Sequence, residues 1–218
     1  MISRVGMAPR RPGLTTEAFV RHWRTTHADA AGRIPGLRRY VQLHPVVVGD
    51  RLPLPYPGFD ACSILDFDDL AAMDEGFASP LYQREVATDE QTFIDKQRFS
   101  LLLCEPRRHQ PIEPGSVVLA TLLRRHAAVP ADEFVGAALQ AWPPDGDVPG
   151  HEQYVTVHAG REGRQVDAGE MLDLRAYPTV AEAVDDLCDE ARGVERDLRV
   201  AGLAFGLVRL VARVHRVV

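Results

Sequence analysis

Near the start of the sequence, His22, Trp23 and His27 stand within six residues of one another. An imidazole titrates near neutral pH, so either ring could take up or deliver a proton. Phe19, Trp23, His27, Ala30 and Ile34 recur at helical spacing, forming one apolar stripe that turns His27 inward beside Trp23. That position suits a general acid/base; a core histidine bonded to a backbone carbonyl is the alternative. His22 precedes His27 by five residues, which on an α-helix is about 140° around the axis. The two are therefore not expected to share a ligand, and His22 reads as solvent-facing or capping. Tyr40, Gln42 and His44 alternate with Val41 and Leu43, so a strand would put a phenol, an amide and an imidazole on one face. Tyr154, Thr156 and His158 repeat the arrangement later in the chain.

The elements that must position these groups follow from apolar periodicity and breakers. Residues 2–7 read as a strand, and Thr15 or Thr16 caps a helix to about Gly32. Strands are expected at 37–45, 60–67 and 99–105, with helical stretches at 68–78 and 80–91. Residues 45–58 carry four prolines and read as a connection. Leu52, Leu54, Tyr56 and Phe59 could make it an apolar lid; simple loop packing is the alternative. A second pass places strands at 117–124, 153–158, 170–177 and 207–217, and helices at 130–141 and 179–198. Both halves thus read β-α-β-β-α-β. Gly36 to His44 aligns without gaps on Gly150 to His158, sharing Gly, Tyr, Val and His, which reads as an internal duplication.

The expected fold is α+β: two ferredoxin-like βαββαβ repeats fused in one chain, their antiparallel sheets packed face to face. The first unit would span residues 1–106, the linker 107–115 and the second unit 116–218. Val41 and Leu43 would face the helices. Tyr40, Gln42, His44, Tyr154, Thr156 and His158 would face a central chamber able to hold a small molecule.

Composition excludes several classes. The 218 residues are 45% hydrophobic and 26% charged, with a net charge of −6. That acidity gives no general attraction to nucleic acid or to anionic membranes, and no apolar run approaches membrane-spanning length. Three isolated cysteines form no CxxC pair, which points to a reducing cytoplasm. No dinucleotide fingerprint, P-loop, nucleophile elbow or zinc spacing is present, so nucleotide-dependent chemistry, serine hydrolysis and a bound metal are not expected.

The run from Gly13 to His27, Gly-Leu-Thr-Thr-Glu-Ala-Phe-Val-Arg-His-Trp-Arg-Thr-Thr-His, followed by Pro35-Gly-Leu-Arg-Arg-Tyr-Val-Gln42, resembles the EthD family of the dimeric α/β-barrel superfamily. Asp60-Ala-Cys-Ser-Ile-Leu-Asp-Phe67 and Asp89-Glu-Gln-Thr-Phe-Ile-Asp95 resemble it too. The likeness covers roughly residues 1–106; after Phe134 the tryptophan-histidine motif is gone. Asp29 stands where the family often has proline. The resemblance implies paired ferredoxin-like units and cofactor-independent chemistry on small aromatic or polyketide-like molecules. The apolar stripe and the resemblance together make His27 the expected acid/base, with Tyr40 and His44, from their shared strand face, holding the substrate's oxygens. Trp23, Gln42, Asp60, Asp89, Tyr154 and His158 are expected to bind substrate. A decarboxylase, cyclase or isomerase is the first expectation. A cofactor-free monooxygenase and a non-catalytic binding protein are the alternatives, haem held by an axial nitrogen of His27 or His44 is a third that the superfamily implies, and a homodimer of the fused chain is left open.

Overall fold

The computed structural model describes residues 1–141, 149–157, 171–189, 197–198 and 201–218. Strand β1 (Ile2–Ala8) leads into α1 (Thr16–His22), whose first turn is capped by Thr15 Oγ1 accepting from the Ala18 N–H at 3.2 Å. The helix runs on through a π turn (Trp23–His27) into α2 (Ala28–Ala31). Gly36, at φ +78°, turns the chain into β2 (Leu37–Pro45), a conformation that L side chains adopt rarely. After β3 (Ala61–Phe67), Asp69 caps α3 (Leu70–Ala78) through the Ala72 N–H at 2.8 Å. A second π turn (Tyr82–Val86) then feeds α4 (Ala87–Phe93), and β4 (Ser100–Gln110) follows. The second half contributes β5 (Val117–Arg125), α5 (Ala131–Ala141), β6 (His151–Thr156), β7 (Met171–Tyr177), α6 (Val180–Asp189) and β8 (Ala204–Arg216). Among the described residues, no helix is long and apolar enough to cross a membrane.

The eight strands form one closed antiparallel barrel in the order β1-β3-β2-β8-β5-β7-β6-β4. This corrects the expectation of two sheets packed face to face. The sheets of the two halves meet edge to edge instead: β2 pairs with β8 from Val41↔Arg216 to Pro45↔Ala212, and β4 pairs with β6 from Cys104↔Thr156 to Gln110↔His151. The physical reason lies in the edges. A four-stranded unit standing alone leaves two rows of unpaired N–H and C=O groups, and joining the units satisfies both. Residues 107–110, expected to begin a linker, are consumed in this seam as the end of β4.

Apolar side chains from both halves fill most of the barrel interior, including Val5, Val41, Leu43, Ile64, Leu102, Leu122, Leu174 and Leu210. Full burial of each such side chain stabilises the fold by roughly 1.5–3 kcal/mol. A second apolar layer, with Phe19, Trp23, Tyr40, Leu65 and Phe93, packs the first half's helices onto its sheet. The alternation in β2 is therefore as expected, but its two faces are exchanged. Val41 and Leu43 point into the barrel, while Tyr40, Gln42 and His44 point toward the helices. Helices can offer polar partners to such side chains; the tightly filled interior around Val41 and Leu43 is apolar.

The gapless match between residues 36–44 and 150–158 does not describe how the halves correspond. Counting from the strand that precedes the second helix, Phe67 and Tyr177 occupy equivalent places, paired with Ile2 and Val117. Gln42 pairs with Ser63 and Gln153 with the equivalent Asp173. Gln153 is thus the counterpart of Gln42, His151 of Tyr40, and Tyr154 of Leu43. Tyr154 accordingly points into the barrel, three positions out of step with the sequence match.

Candidate active site

The first half's helices bring His22 and His27 together by departing from α-helical winding. In the π turn the Ala28 N–H reaches the Trp23 carbonyl five residues back, so residues five apart stack over one another. Both imidazoles then converge on one carboxylate from α4. His27 Nδ1 lies 2.9 Å from Asp89 Oδ2, and His22 Nε2 lies 2.7 Å from Asp89 Oδ1. The Phe93 ring packs on both, with centroids 4.8 Å from His22 and 5.0 Å from His27. The expectation that His22 points away from His27 is corrected here, because it assumed 100° per residue through the whole helix.

Burial pushes the Asp89 carboxyl up, but hydrogen bonds and charge from His27 and His22 outweigh it, leaving the group below its ordinary value. An ionised carboxylate only accepts, so His27 Nδ1 and His22 Nε2 are the donating nitrogens. His27 therefore keeps Nε2 for other work. Its side chain is 6% exposed, against 31% for His22 and 17% for Asp89, so the cluster runs from solvent at His22 to a buried ring at His27.

Gln42 ties this cluster to the sheet. Its Nε2 donates to the Trp23 carbonyl at 2.9 Å and to the Tyr40 hydroxyl oxygen at 2.8 Å, and its Oε1 accepts from His44 Nε2 at 2.9 Å. Burial raises the Tyr40 hydroxyl well above its usual range; the Gln42 and Trp23 hydrogen bonds oppose this less strongly, and the nearby Glu90 and Asp89 carboxylates add to it. Tyr40 stays protonated, and with Gln42 donating to its oxygen its own proton remains available. His44 sits against the Trp23 ring at 4.7 Å. Burial, then the charges of His215 and Arg24, push it down to about 4, so it is a neutral imidazole at pH 7.

His27, Asp89, Trp23, Tyr40, Gln42 and His44 thus share the layer between helices and sheet. Asp60 and Tyr154 lie elsewhere, and His158 falls outside the described residues. Asp60 is at the barrel mouth, where Oδ1 accepts from Arg10 Nη1 at 2.7 Å and Oδ2 accepts from the Tyr56 hydroxyl at 2.9 Å. Burial first, then the bond to Asp60, pushes that tyrosine up to about 12. These three, with Leu14, Leu52 and Phe59, line a cavity of about 660 Å³ walled on one side by the proline-rich segment. Thr16 also lines it, and eleven residues of helix, roughly 16 Å, separate Thr16 from His27. The cavity is therefore distinct from the histidine cluster. Tyr154 lies in the opposite end of the barrel, bonded to Arg39 and Glu152. Sequence reasoning missed Arg39 and misplaced His22; for His22, the signal was its five-residue spacing from His27, which a π turn converts into proximity. Among the described residues, no group of three or more His, Cys, Asp or Glu side chains is arranged to hold a metal ion.

The family model for the EthD domain matches residues 11–97. This stretch is similar to the EthD domain. It contains His22, Trp23, His27, Tyr40, Gln42, His44, Asp60 and Asp89, whereas Tyr154 and His158 lie beyond it. No curated protein matches the chain significantly. Among solved structures, an anthrone oxidase-like protein superposes with a TM-score of 0.67 at 10% identity, covering 99% of this chain and 92% of its own. A protein from Lactobacillus acidophilus NCFM named as a candidate monooxygenase gives 0.56 at 11% identity, covering 100% and 94%. Another so named, from Fusobacterium nucleatum, gives 0.62 at 8% identity, covering 98% and 91%. At these identities the likeness is one of fold, and it extends past the EthD-like stretch over both halves.

Proposed function

We propose that the protein is a cofactor-independent enzyme that moves a proton on a small aromatic or polyketide-like substrate, with His27 as acid/base. The observation that carries this reading is the 2.9 Å pair between His27 Nδ1 and Asp89 Oδ2. A carboxylate so placed fixes the tautomer, orients the ring and stabilises the imidazolium that forms when Nε2 takes a proton. Tyr40 supports the same reading, because its proton is free to be donated to a substrate carbonyl as negative charge develops there. Substrate would approach from the His22 side, where the cluster is open to solvent.

Proton removal next to a carbonyl is common to isomerisation, cyclisation and cofactor-free oxygenation. The solved structures named as anthrone oxidase-like and as candidate monooxygenases favour oxygenation as the second reading. Anthrone serves as a probe for both. Its methylene carbon would lose a proton to His27, and the carbanion would either be reprotonated or react with dioxygen to give anthraquinone and water.

Under nitrogen in D2O, the protein should speed deuterium incorporation at that methylene, and His27→Gln should slow the catalysed exchange by about 10²–10⁴-fold. In air, anthraquinone formation would select oxygenation. Exchange at the buffer rate, or equal rates for the two proteins, would overturn the assignment of His27.

A further inference from the structure

The cavity at the barrel mouth has no part in the histidine cluster. At about 660 Å³ it has the size of a small-molecule site, with room for two or three fused rings. Its proline-rich wall is pinned at both ends. Val46 and Leu54 pack against the second half's apolar group around Val117, Leu119 and Tyr177. The Tyr56 hydroxyl donates to Asp60 Oδ2 at 2.9 Å, and Asp60 is only 6% exposed. Packing therefore holds the space open. Val47 and Tyr56, both on the lining, are nevertheless 47% and 50% exposed. A fixed wall that leaves such apolar surface to water fits one that a ligand covers.

The polar groups indicate what kind of ligand. Charges on the lining balance, with Arg10, Arg11 and Arg98 against Glu17, Asp50 and Asp60, so the wall gives an ion no net attraction. Donors and acceptors do not balance. The buried acceptor is spent, because Asp60 takes the Arg10 backbone N–H at 2.9 Å, Arg10 Nη1 at 2.7 Å and the Tyr56 hydroxyl. Asp50 stands in solvent, its side chain 96% exposed, and Glu17 is exposed and bonded to Thr15 and its own backbone. Arg10 is locked in place, with Nε donating to the Leu14 carbonyl at 3.1 Å and Nη1 to Thr16 Oγ1 at 3.3 Å. Its Nη2 has no hydrogen-bond partner among the described residues. A guanidinium so fixed, with N–H groups to spare beside apolar walls, calls for an acceptor oxygen on an otherwise apolar molecule.

We infer that this cavity is a ligand site, separate from the histidine cluster, for a neutral aromatic ketone. The carbonyl oxygen accepts from Arg10, and the rings lie against Leu52 and Phe59. The site does not depend on the role assigned to His27.

The test uses the full chain labelled with ¹⁵N, following backbone amides while 1-tetralone is added at pH 7. Tetralin has the rings without the carbonyl, and 1-naphthoate is an anion of similar size. 1-Tetralone should move the amides of Gly13, Leu14, Leu52 and Asp60 saturably, and should bind about tenfold or more tighter than either comparison compound. Arg10→Met should reduce its affinity to that of tetralin. Leu52→Trp, which fills the cavity from a partly exposed position, should weaken 1-tetralone about tenfold or more, whereas His27→Gln should bind it as the unsubstituted chain does. Movement centred on His22 and His27, equal or tighter binding of tetralin or 1-naphthoate, or unchanged affinity in Leu52→Trp would overturn the inference. Should Arg10→Met fail to fold, the three probes and Leu52→Trp decide alone.

Discussion

Arg39 and Glu152 come from opposite halves of the chain and meet inside the barrel as a two-point ion pair, with Nη2 2.7 and 2.8 Å from the two carboxylate oxygens. Arg39 Nη1 also donates to the Tyr154 hydroxyl at 2.8 Å and to Asp66 Oδ2 at 3.2 Å, and Ser3 donates to the other oxygen of Asp66 at 2.6 Å. Burial alone would lower the guanidinium, but Tyr154 and Glu152 hold it well above its ordinary value. One cation therefore serves two enclosed carboxylates. Arg39→Met should cost about 3–5 kcal/mol in urea unfolding, because both acids lose their partner. Asp66→Asn removes the surplus charge and should cost much less. Equal losses for the two variants would refute this division of roles.

Asp89 should link stability to acid. Its folded value is depressed, so its contribution is complete above the ordinary carboxylate range, near pH ~4, and fades as pH falls below it. The pair with His22 stands at the solvent end of the cluster, which limits the effect to about 1 kcal/mol or less. Wild type should melt above Asp89→Asn at pH 7, and the gap should narrow as pH falls below the ordinary carboxylate range. A gap that persists there would mean the carboxylate acts by shape alone.

His44 should impose a slope at higher pH. Its folded value, about 4, lies below the unfolded value of roughly 6.5. The unfolded chain therefore takes up its proton first as pH falls, and stability declines between those two values by up to about 1.4 kcal/mol per pH unit. His44→Gln should flatten this decline while remaining folded at pH 7. Identical slopes in denaturant titrations would remove His44 as the cause.

Gly76 marks a close approach that tolerates no side chain. A Cβ there would meet the Pro35 carbonyl oxygen at 2.5 Å and Ile34 Cγ2 at 3.0 Å, so α3 lies directly on the turn that launches β2. Gly76→Ala should lower stability by about 1–3 kcal/mol despite its better helix propensity. Calorimetry showing a higher melting temperature would contradict the packing.

The order of strands and helices was legible because each element carries its own periodicity. Which face of β2 looks inward was not: Val41 and Leu43 alternate cleanly with Tyr40 and His44, but alternation does not say what covers either face. Closure was also hidden, since the pairing of Val41 with Arg216 leaves no local trace. His27 could be read from the apolar stripe, whereas the convergence of His22 depends on a change of winding within one turn. The shared Tyr-Val of residues 40–41 and 154–155 misled for a different reason. One register slip of three is invisible in a short alignment and exchanges a helix-facing tyrosine for a barrel-facing one.

The closed ring of strands also bears on how the protein is made. The seam between β2 and β8 joins residues 41–45 to residues 212–216, so β2 cannot complete its pairing until the ribosome has produced nearly everything between. During that interval β2 is an exposed template onto which another nascent chain could add a strand. Ring closure across so long a separation is also slow. Aggregation risk should therefore concentrate in synthesis rather than in the finished molecule, where no strand of the barrel is left with a bare edge.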